Sequence, residues 1–382
     1  MDDFQVFVKP VGASCNLACS YCYYLAKSEL SADSGLHRMA DDLLEMYIVQ
    51  HVEASTEPTI FFSWHGGEPT LAGLDYFRRI TEIQKKHLPP DRFALNGIQT
   101  NGTLLNNEWC QFLKKENFIV GISLDGPERF HSVNRFRKDG KSSFDEVLRG
   151  FRLLQSYQIP CEILCVVHAQ NVEFPLEVYR FFKNLKAEFI TFLPLVEKQT
   201  SGEKAVSEKT VSAKAFGEFL CAIFDEWKTS DIGTVKIQIF EEALRTAFGV
   251  DHSLCIFKPA CGRVPVIEHN GDFYSCDHFV GPAYRIGNVR HSTLSEMLES
   301  PAQKAFGLAK LNTLPEYCLN CEVLNFCNGA CPKDRFIETP EGEPALNYLC
   351  EGYKLFFNHC KPFVKEVAEV WSSENASPQP LP

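Results

Sequence analysis

Three cysteines of the N-terminal segment stand close together in Cys15-Asn-Leu-Ala-Cys19-Ser-Tyr-Cys22, the spacing CxxxCxxC. Thiolates this close can share one centre, and soft thiolate ligands suit iron–sulfur clusters. A cluster held by three cysteines leaves one iron without a protein ligand, open to a substrate or cofactor. A four-cysteine structural site has no such opening. On spacing alone, a zinc knuckle that borrows a fourth ligand stays open as an alternative. A second array runs through Cys255, Cys261 and Cys276, then Cys318-x2-Cys321-x5-Cys327-x3-Cys331, then Cys350. Here a zinc ribbon or knuckle is the alternative to iron. The remaining five, Cys110, Cys161, Cys165, Cys221 and Cys360, fall mostly in strand or helix patterns and read as small core hydrophobes.

The rest of the composition narrows the chemistry. The 16 cysteines in 382 residues are about half the roughly 8–10% typical of a disulfide scaffold, so metal or redox chemistry is the better reading. Lys and Arg number 38 against 49 Asp and Glu, a formal charge of -11. No run of basic residues forms a face for nucleic acid or an anionic membrane, and neither is expected as a partner. The start MDDFQVFVKP has no basic region followed by an apolar core, and no stretch approaches the length of a membrane span. The expected location is the cytoplasm.

Positioning these cysteines requires a scaffold, and the first 200 or so residues alternate strand and helix patterns. Strands are expected over 4–9, 59–64, 93–99, 119–124, 162–167 and 189–195, rich in β-branched and aromatic residues. Helices are expected over 41–52, 74–87, 106–116, 144–157 and 173–185, the fourth opened by a capping box of Ser143 and Glu146. Six βα units imply an α/β fold with a parallel sheet, open or partly closed into a barrel. A further helix carries Phe216, Phe219, Leu220, Ile223, Phe224 and Trp227 at helical spacing and reads as core, after a polar loop over 197–212. Beyond about residue 250, cysteine, glycine and proline dominate. There a strand over 264–269 turns at Asn270-Gly271, a type I′ dipeptide, into 273–276, which pairs residue 265 with 276. The division expected is a domain over 1–235, a cysteine-rich domain over 236–365, and a partly disordered tail over 366–382.

The other polar, glycine-bearing sequences fall at strand ends, where βα folds gather their chemistry. Gly66-Gly67-Glu68-Pro69 follows the second strand, Gln99-Thr100-Asn101-Gly102 the third, and Ser123-Leu124-Asp125-Gly126-Pro127 the fourth. Together they line one rim. A CxxxCxxC loop after strand one, with an aromatic before the third cysteine, and GGEP after strand two resemble the radical S-adenosylmethionine superfamily. The resemblance implies a partial (β/α)6 TIM-like barrel. It also implies that Cys15, Cys19 and Cys22 hold a cluster whose open iron binds S-adenosylmethionine. Gly66, Gly67 and Glu68 would meet the methionine amino group, Ser123 and Arg135 the methionine end, and Tyr21 and Leu195 the adenine. A guanidinium fork suits the methionine carboxylate.

The C-terminal array resembles the SPASM extension, a small domain with a β-hairpin and C-terminal helices that carries two further 4Fe-4S clusters, three in all. The resemblance implies one cluster on Cys255, Cys261, Cys276 and Cys331, and another on Cys318, Cys321, Cys327 and Cys350. Within SPASM proteins, CNLACSYCYYL, WHGGEPTLAG, QTNG, SLDGP with His131 and Arg135, and GDFYSCDHFV are most similar to the anaerobic sulfatase-maturating enzymes. That resemblance implies oxidation of a sulfatase cysteine or serine to Cα-formylglycine. A deoxyadenosyl radical takes a β-hydrogen, a base takes the thiol or hydroxyl proton, and the second electron leaves through an auxiliary cluster. It implies as partners an unfolded or nascent sulfatase chain with a Cys/Ser-x-Pro/Ala-x-Arg motif, and an electron donor such as flavodoxin or ferredoxin. Asp277, directly after Cys276, is the candidate base. That role asks for a carboxyl raised above its ordinary pKa by burial or nearby negative charge. Tyr24 and His278 are expected to line the substrate cleft. Two readings compete: a SPASM maturase forming thioether or carbon–carbon crosslinks, and a non-catalytic zinc-binding interaction protein.

Overall fold

A computed structural model describes residues 4–25, 27, 38–199 and 205–375. The alternation of strands and helices is present in the order β1 (Phe7–Val8), α1 (Asp41–Ala54), β2 (Thr59–Trp64), α2 (Leu74–His87), β3 (Phe93–Thr100), α3 (Asn107–Lys115), β4 (Ile119–Ser123), α4 (Glu128–Asn134), α5 (Phe144–Ser156) and β5 (Cys161–Val167). The chain continues through α6 (Pro175–Asn184), β6 (Phe189–Pro194), α7 (Ala213–Ser230), β7 (Lys236–Ile237) and α8 (Gln238–Arg245). Short elements follow: β8 (Val266–Ile267), β9 (Asp272–Tyr274), β10 (Arg285–Asn288), α9 (Leu294–Leu298), α10 (Pro301–Asn312), α11 (Glu316–Leu319) and α12 (Leu324–Cys327). The last are β11 (Arg335–Ile337), β12 (Leu346–Asn347) and α13 (Cys350–Asn375). Helix therefore covers 366–375 of the expected tail, and 376–382 lie outside the described residues. No helix among the described residues is long and apolar enough to cross a membrane.

The chain divides into two compact units, and the division differs from the expected one. Residues 261–309 join residues 1–165, while 166–260 join 310–382. In the first unit β1 to β5 are parallel neighbours in chain order. The cysteine-rich hairpin does not stand apart from them. β8 pairs in parallel with β1, Phe7 opposite Val266 and Val8 opposite Ile267, and covers an edge that would otherwise expose unpaired backbone groups. An aromatic core lies beneath, where Tyr47, Phe62, Trp64 and Phe77 are buried. Each such side chain contributes about 1.5–3 kcal/mol of burial. In the second unit α7 buries Phe216, Phe219, Leu220, Ile223, Phe224 and Trp227, the stripe read from the sequence. It approaches α13 so closely that a Cβ on Gly217 would lie 2.6 Å from Gly352 O. Of the polar stretch 197–212, residues 200–204 lie outside the described residues. The remainder is loop and turn, with a bridge between Lys198 and Val206.

Two local expectations fail for identifiable reasons. The hairpin pairs Val266 with Tyr274 and Ile267 with Phe273, one residue out of the expected register. Asn270 does not adopt positive φ, as a type I′ turn would demand, whereas Gly271 does, at 86°. Gly271 N–H donates to Glu268 O and Glu268 N–H to Asp272 O, the longer loop of a turn followed by a left-handed bulge residue. The Ser143/Glu146 capping box does not form either. Ser143 donates to Arg135 O and lies 3.0 Å from His131 Nε2, while Glu146 pairs with Arg137. A capping box does form at Thr293 and Glu296, at the start of α9.

Candidate active site

The loop carrying Cys15, Cys19 and Cys22 leaves β1 and is pinned by the segments after β2, β3 and β4. After β2, Gly67 N–H donates to Gly12 O and Glu68 N–H to Ser14 O, each at 2.8 Å. The approach is so close that a Cβ on Gly67 would fall 2.2 Å from Ser14 O, which is why glycine is needed there. After β3, Asn101 donates to Asn16 Oδ1 at 2.8 Å and lies 3.8 Å from Cys15 Sγ, and Asn16 donates to Thr103 Oγ1 at 2.8 Å. After β4, Ala18 N–H donates to Phe136 O, and Ser20 N–H and Oγ reach Asn134. The rim expected from the sequence is thus assembled within one unit. Glu68 does not face outward from it. Its buried carboxylate accepts from Thr70 N–H, Thr70 Oγ1, Thr100 Oγ1 and Asn101 N–H, so it ties the loops after β2 and β3 together.

Among the described residues no three His, Cys, Asp or Glu side chains stand already gathered about one metal position, but the Cys15–Cys22 loop offers the soft thiolate donors that an iron–sulfur cluster takes. Burial pushes Cys15 up to about 12, with further upward contributions from Glu68, Cys19 and Cys22. Cys19 is raised by burial too, against a lowering by Arg135. Such groups ionise only opposite a strong positive centre, which bound iron supplies. In the second unit burial raises Cys318, and takes Cys327 and Cys350 up to about 12. Cys331 lies near Cys255, while Cys261 and Cys276 belong to the first unit. Of the five remaining cysteines, Cys110, Cys165 and Cys360 are buried, and Cys161 and Cys221 are partly exposed.

Arg135 Nε donates to Asp125 Oδ2 at 3.0 Å, and the Tyr21 hydroxyl donates to the same oxygen. Burial raises the Asp125 carboxyl, but Arg135 and His131 outweigh it and hold the group below its ordinary value. Asp125, named in the sequence only as part of SLDGP just after β4, is thus the group that joins Arg135 to Tyr21. Ser123 Oγ accepts from Gln99. Leu195 is buried in the second unit, its N–H on Val167 O.

Asp277 lies on a 3-10 turn, Asp277–Phe279, directly after Cys276, and is 7% exposed. Its ionisation departs from the sequence expectation. Burial raises the carboxyl, yet the Lys9 ammonium 2.6 Å away, His278 and the Tyr23 hydroxyl together hold it at about 2. A buried lysine opposite the carboxylate is the reason, and nothing in the sequence marked Lys9. Tyr24, expected in the cleft, is buried against Val266, Tyr274 and Val280, with its hydroxyl donating to Glu268. Its neighbour Tyr23 is the outward residue. It is 50% exposed, donates to Asp277 Oδ2, and lies 5.0 Å from the His278 ring. The Tyr23–Asp277 bond therefore joins the residue after Cys22 to the residue after Cys276.

Comparison with known proteins accords with this geometry. Residues 10–182 match the Radical SAM superfamily, and residues 260–322 match an iron-sulfur cluster-binding domain, SPASM. The chain is 44% identical over 372 residues to a serine-type anaerobic sulfatase-maturating enzyme of Bacteroides thetaiotaomicron, covering 94% of this chain and 90% of that one. It is 32% identical to a cysteine-type anaerobic sulfatase-maturating enzyme of Clostridium perfringens, covering 96% and 99%. The solved structure of native anSMEcpe with bound AdoMet and Cp18Cys peptide superposes with a TM-score of 0.86 at 30% identity, covering 96% and 99% of the two chains. Both cysteine arrays and the rim between them thus lie within one continuous likeness, and the chain belongs to the anaerobic sulfatase-maturating enzymes of the radical SAM superfamily.

Proposed function

We propose that this chain oxidises the active-site serine or cysteine of a sulfatase polypeptide to Cα-formylglycine. The observation that supports this most directly is the Tyr23–Asp277 bond, which places a buried carboxylate beside the Cys15–Cys22 loop. When bound, a cluster on Cys15, Cys19 and Cys22 with S-adenosylmethionine supplies a deoxyadenosyl radical for hydrogen-atom removal, and two further clusters supply an acceptor for the second electron. Cys255, Cys261, Cys276 and Cys331 would hold one of these, and Cys318, Cys321, Cys327 and Cys350 the other. Gly66 and Gly67 present backbone toward the methionine amino group. Arg135, already paired to Asp125, stands with Ser123 for the methionine carboxylate, and Tyr21 and Leu195 stand for the adenine.

Asp277 takes the hydroxyl or thiol proton of the substrate residue; serine then gives the aldehyde directly, whereas cysteine gives a thioaldehyde that water hydrolyses with release of hydrogen sulfide. Lys9 and the Tyr23 hydroxyl hold the carboxylate ionised, ready to accept this proton once the hydrogen atom has left and the substrate proton is more acidic. An anionic cluster on Cys276 would move the carboxyl upward from about 2. Tyr23 and His278 face the substrate chain, which enters unfolded or nascent with a Cys/Ser-x-Pro/Ala-x-Arg motif. A small redox protein, flavodoxin or ferredoxin, supplies the reducing electron.

The test is anaerobic incubation of the reconstituted protein with S-adenosylmethionine, a reductant and peptides carrying Ser-x-Ala-x-Arg or Cys-x-Pro-x-Arg. A peptide mass change matching formylglycine is the expected result. Deoxyadenosine release with the peptide unchanged would contradict it and favour a maturase of different bond-forming chemistry.

A further inference from the structure

We infer that Lys9 is a positioning residue of this site, one that fixes the Asp277 carboxylate from beneath. The inference rests on reading Asp277 as the base. Lys9 is 2% exposed, and a lysine ammonium is almost never taken so far from water unless paired. Its Nζ lies 2.6 Å from Asp277 Oδ1 and 4.2 Å from the centre of the Tyr24 ring, which is itself anchored to Glu268. The Tyr23 hydroxyl takes the other oxygen, Oδ2. With one partner on each oxygen, the carboxyl plane is fixed.

The two ends of this pair belong to different kinds of structure. Lys9 follows β1, and its N–H donates to Ile267 O at 2.8 Å, so its side chain starts from the sheet. Asp277 rides on a short turn next to a cluster ligand. The ion pair therefore registers a loop carboxylate to the sheet that also launches the Cys15–Cys22 loop. Stability alone does not account for it, because apolar side chains of similar volume usually replace a buried ion pair without loss. Phe7 and Val8, the residues of β1 itself, show that apolar side chains suit this strand.

The test compares Lys9→Met, Lys9→Arg and Asp277→Asn in the reconstituted three-cluster protein. It reads iron content, peptide KM, and formylglycine formed per deoxyadenosine released. Loss of aim at a reacting centre can cost on the order of 10²-fold in rate. Lys9→Met should keep its iron and its peptide KM, yet give at least about tenfold less formylglycine per deoxyadenosine. Lys9→Arg should recover most of that coupling, because the charge on Oδ1 returns. Wild-type coupling in Lys9→Met, or equal losses in Lys9→Met and Lys9→Arg, would overturn the inference while leaving Asp277 in place if Asp277→Asn is uncoupled. Full product from Asp277→Asn would instead remove the reading on which it rests. Should Lys9→Met fail to hold iron, Lys9→Arg decides: coupling like wild type supports the inference, and uncoupling overturns it.

Discussion

Glu68 is fully buried, and its carboxylate takes four donors from the loops after β2 and β3. Glu68→Gln would turn an amide NH2 toward some of those donors and leave buried groups unpaired, at about 1–3 kcal/mol. The expected outcome is a protein that folds but releases iron from the Cys15 loop faster, read as iron loss to a chelator over time. Asp277→Asn carries the opposite signature, with all iron and S-adenosylmethionine cleavage kept and formylglycine lost, measured by parallel assays of deoxyadenosine and peptide mass. At this scale the cysteines and glycine motifs were legible because their spacing is itself the signal. Which of Tyr23 and Tyr24 packs inward was not. Neighbouring residues in a turn have no periodicity to say which side chain enters the core, and only the packing of Tyr24 on Val266 and Tyr274 decides it.

At the level of elements, α8, α12 and the loop before Cys255 are joined by one buried pair. Glu242 accepts from Ser253 N–H, Leu254 N–H and the Ser253 hydroxyl, and its Oε2 lies 2.9 Å from His252 Nδ1. The other ring nitrogen is 2.9 Å from Asn325 O, and since a carbonyl and an ionised carboxylate only accept, both nitrogens donate from an imidazolium. Burial lowers the His252 pKa, but the bonds to Glu242 and Asn325 raise it above its ordinary value, while Glu242 is lowered by His252 and Ser253 against burial. The His252 contribution is therefore complete below about 6.5 and is lost as pH rises through the higher folded value. The Glu242 contribution is complete above about 4.3 and is lost as pH falls through its lowered value. Anaerobic thermal unfolding should show stability falling as pH rises above about 6.5, and His252→Gln should flatten that slope. Identical slopes would refute the account. The sequence offered no view of this pair, because its partners follow no motif or periodicity and are unremarkable singly. It failed on the hairpin register for a related reason: Asn-Gly permits a two-residue turn, and the pairing of β8 with β1 selects the bulged one.

For the whole molecule, the cysteine-rich segment contributes to each compact unit, since 261–309 extends the sheet at β1 and 310–382 packs with 166–260. Removing iron should therefore destabilise both units, as metal binding contributes folding energy. Cys350→Ala, which strips the first residue of α13, should lower the unfolding temperature and abolish product while leaving S-adenosylmethionine cleavage. The strand and helix order of the first 200 residues was readable from periodicity; the unit boundaries were not, because they depend on long-range pairing. The central claim is that a radical made on the Cys15–Cys22 loop takes a hydrogen atom from the substrate Cβ before Asp277 takes the proton. The direct measurement uses a sulfatase peptide deuterated at that Cβ and mass analysis of the 5′-deoxyadenosine released. Deuterium in the deoxyadenosine together with formylglycine in the peptide is the predicted result. Unlabelled deoxyadenosine accompanying formylglycine would contradict it.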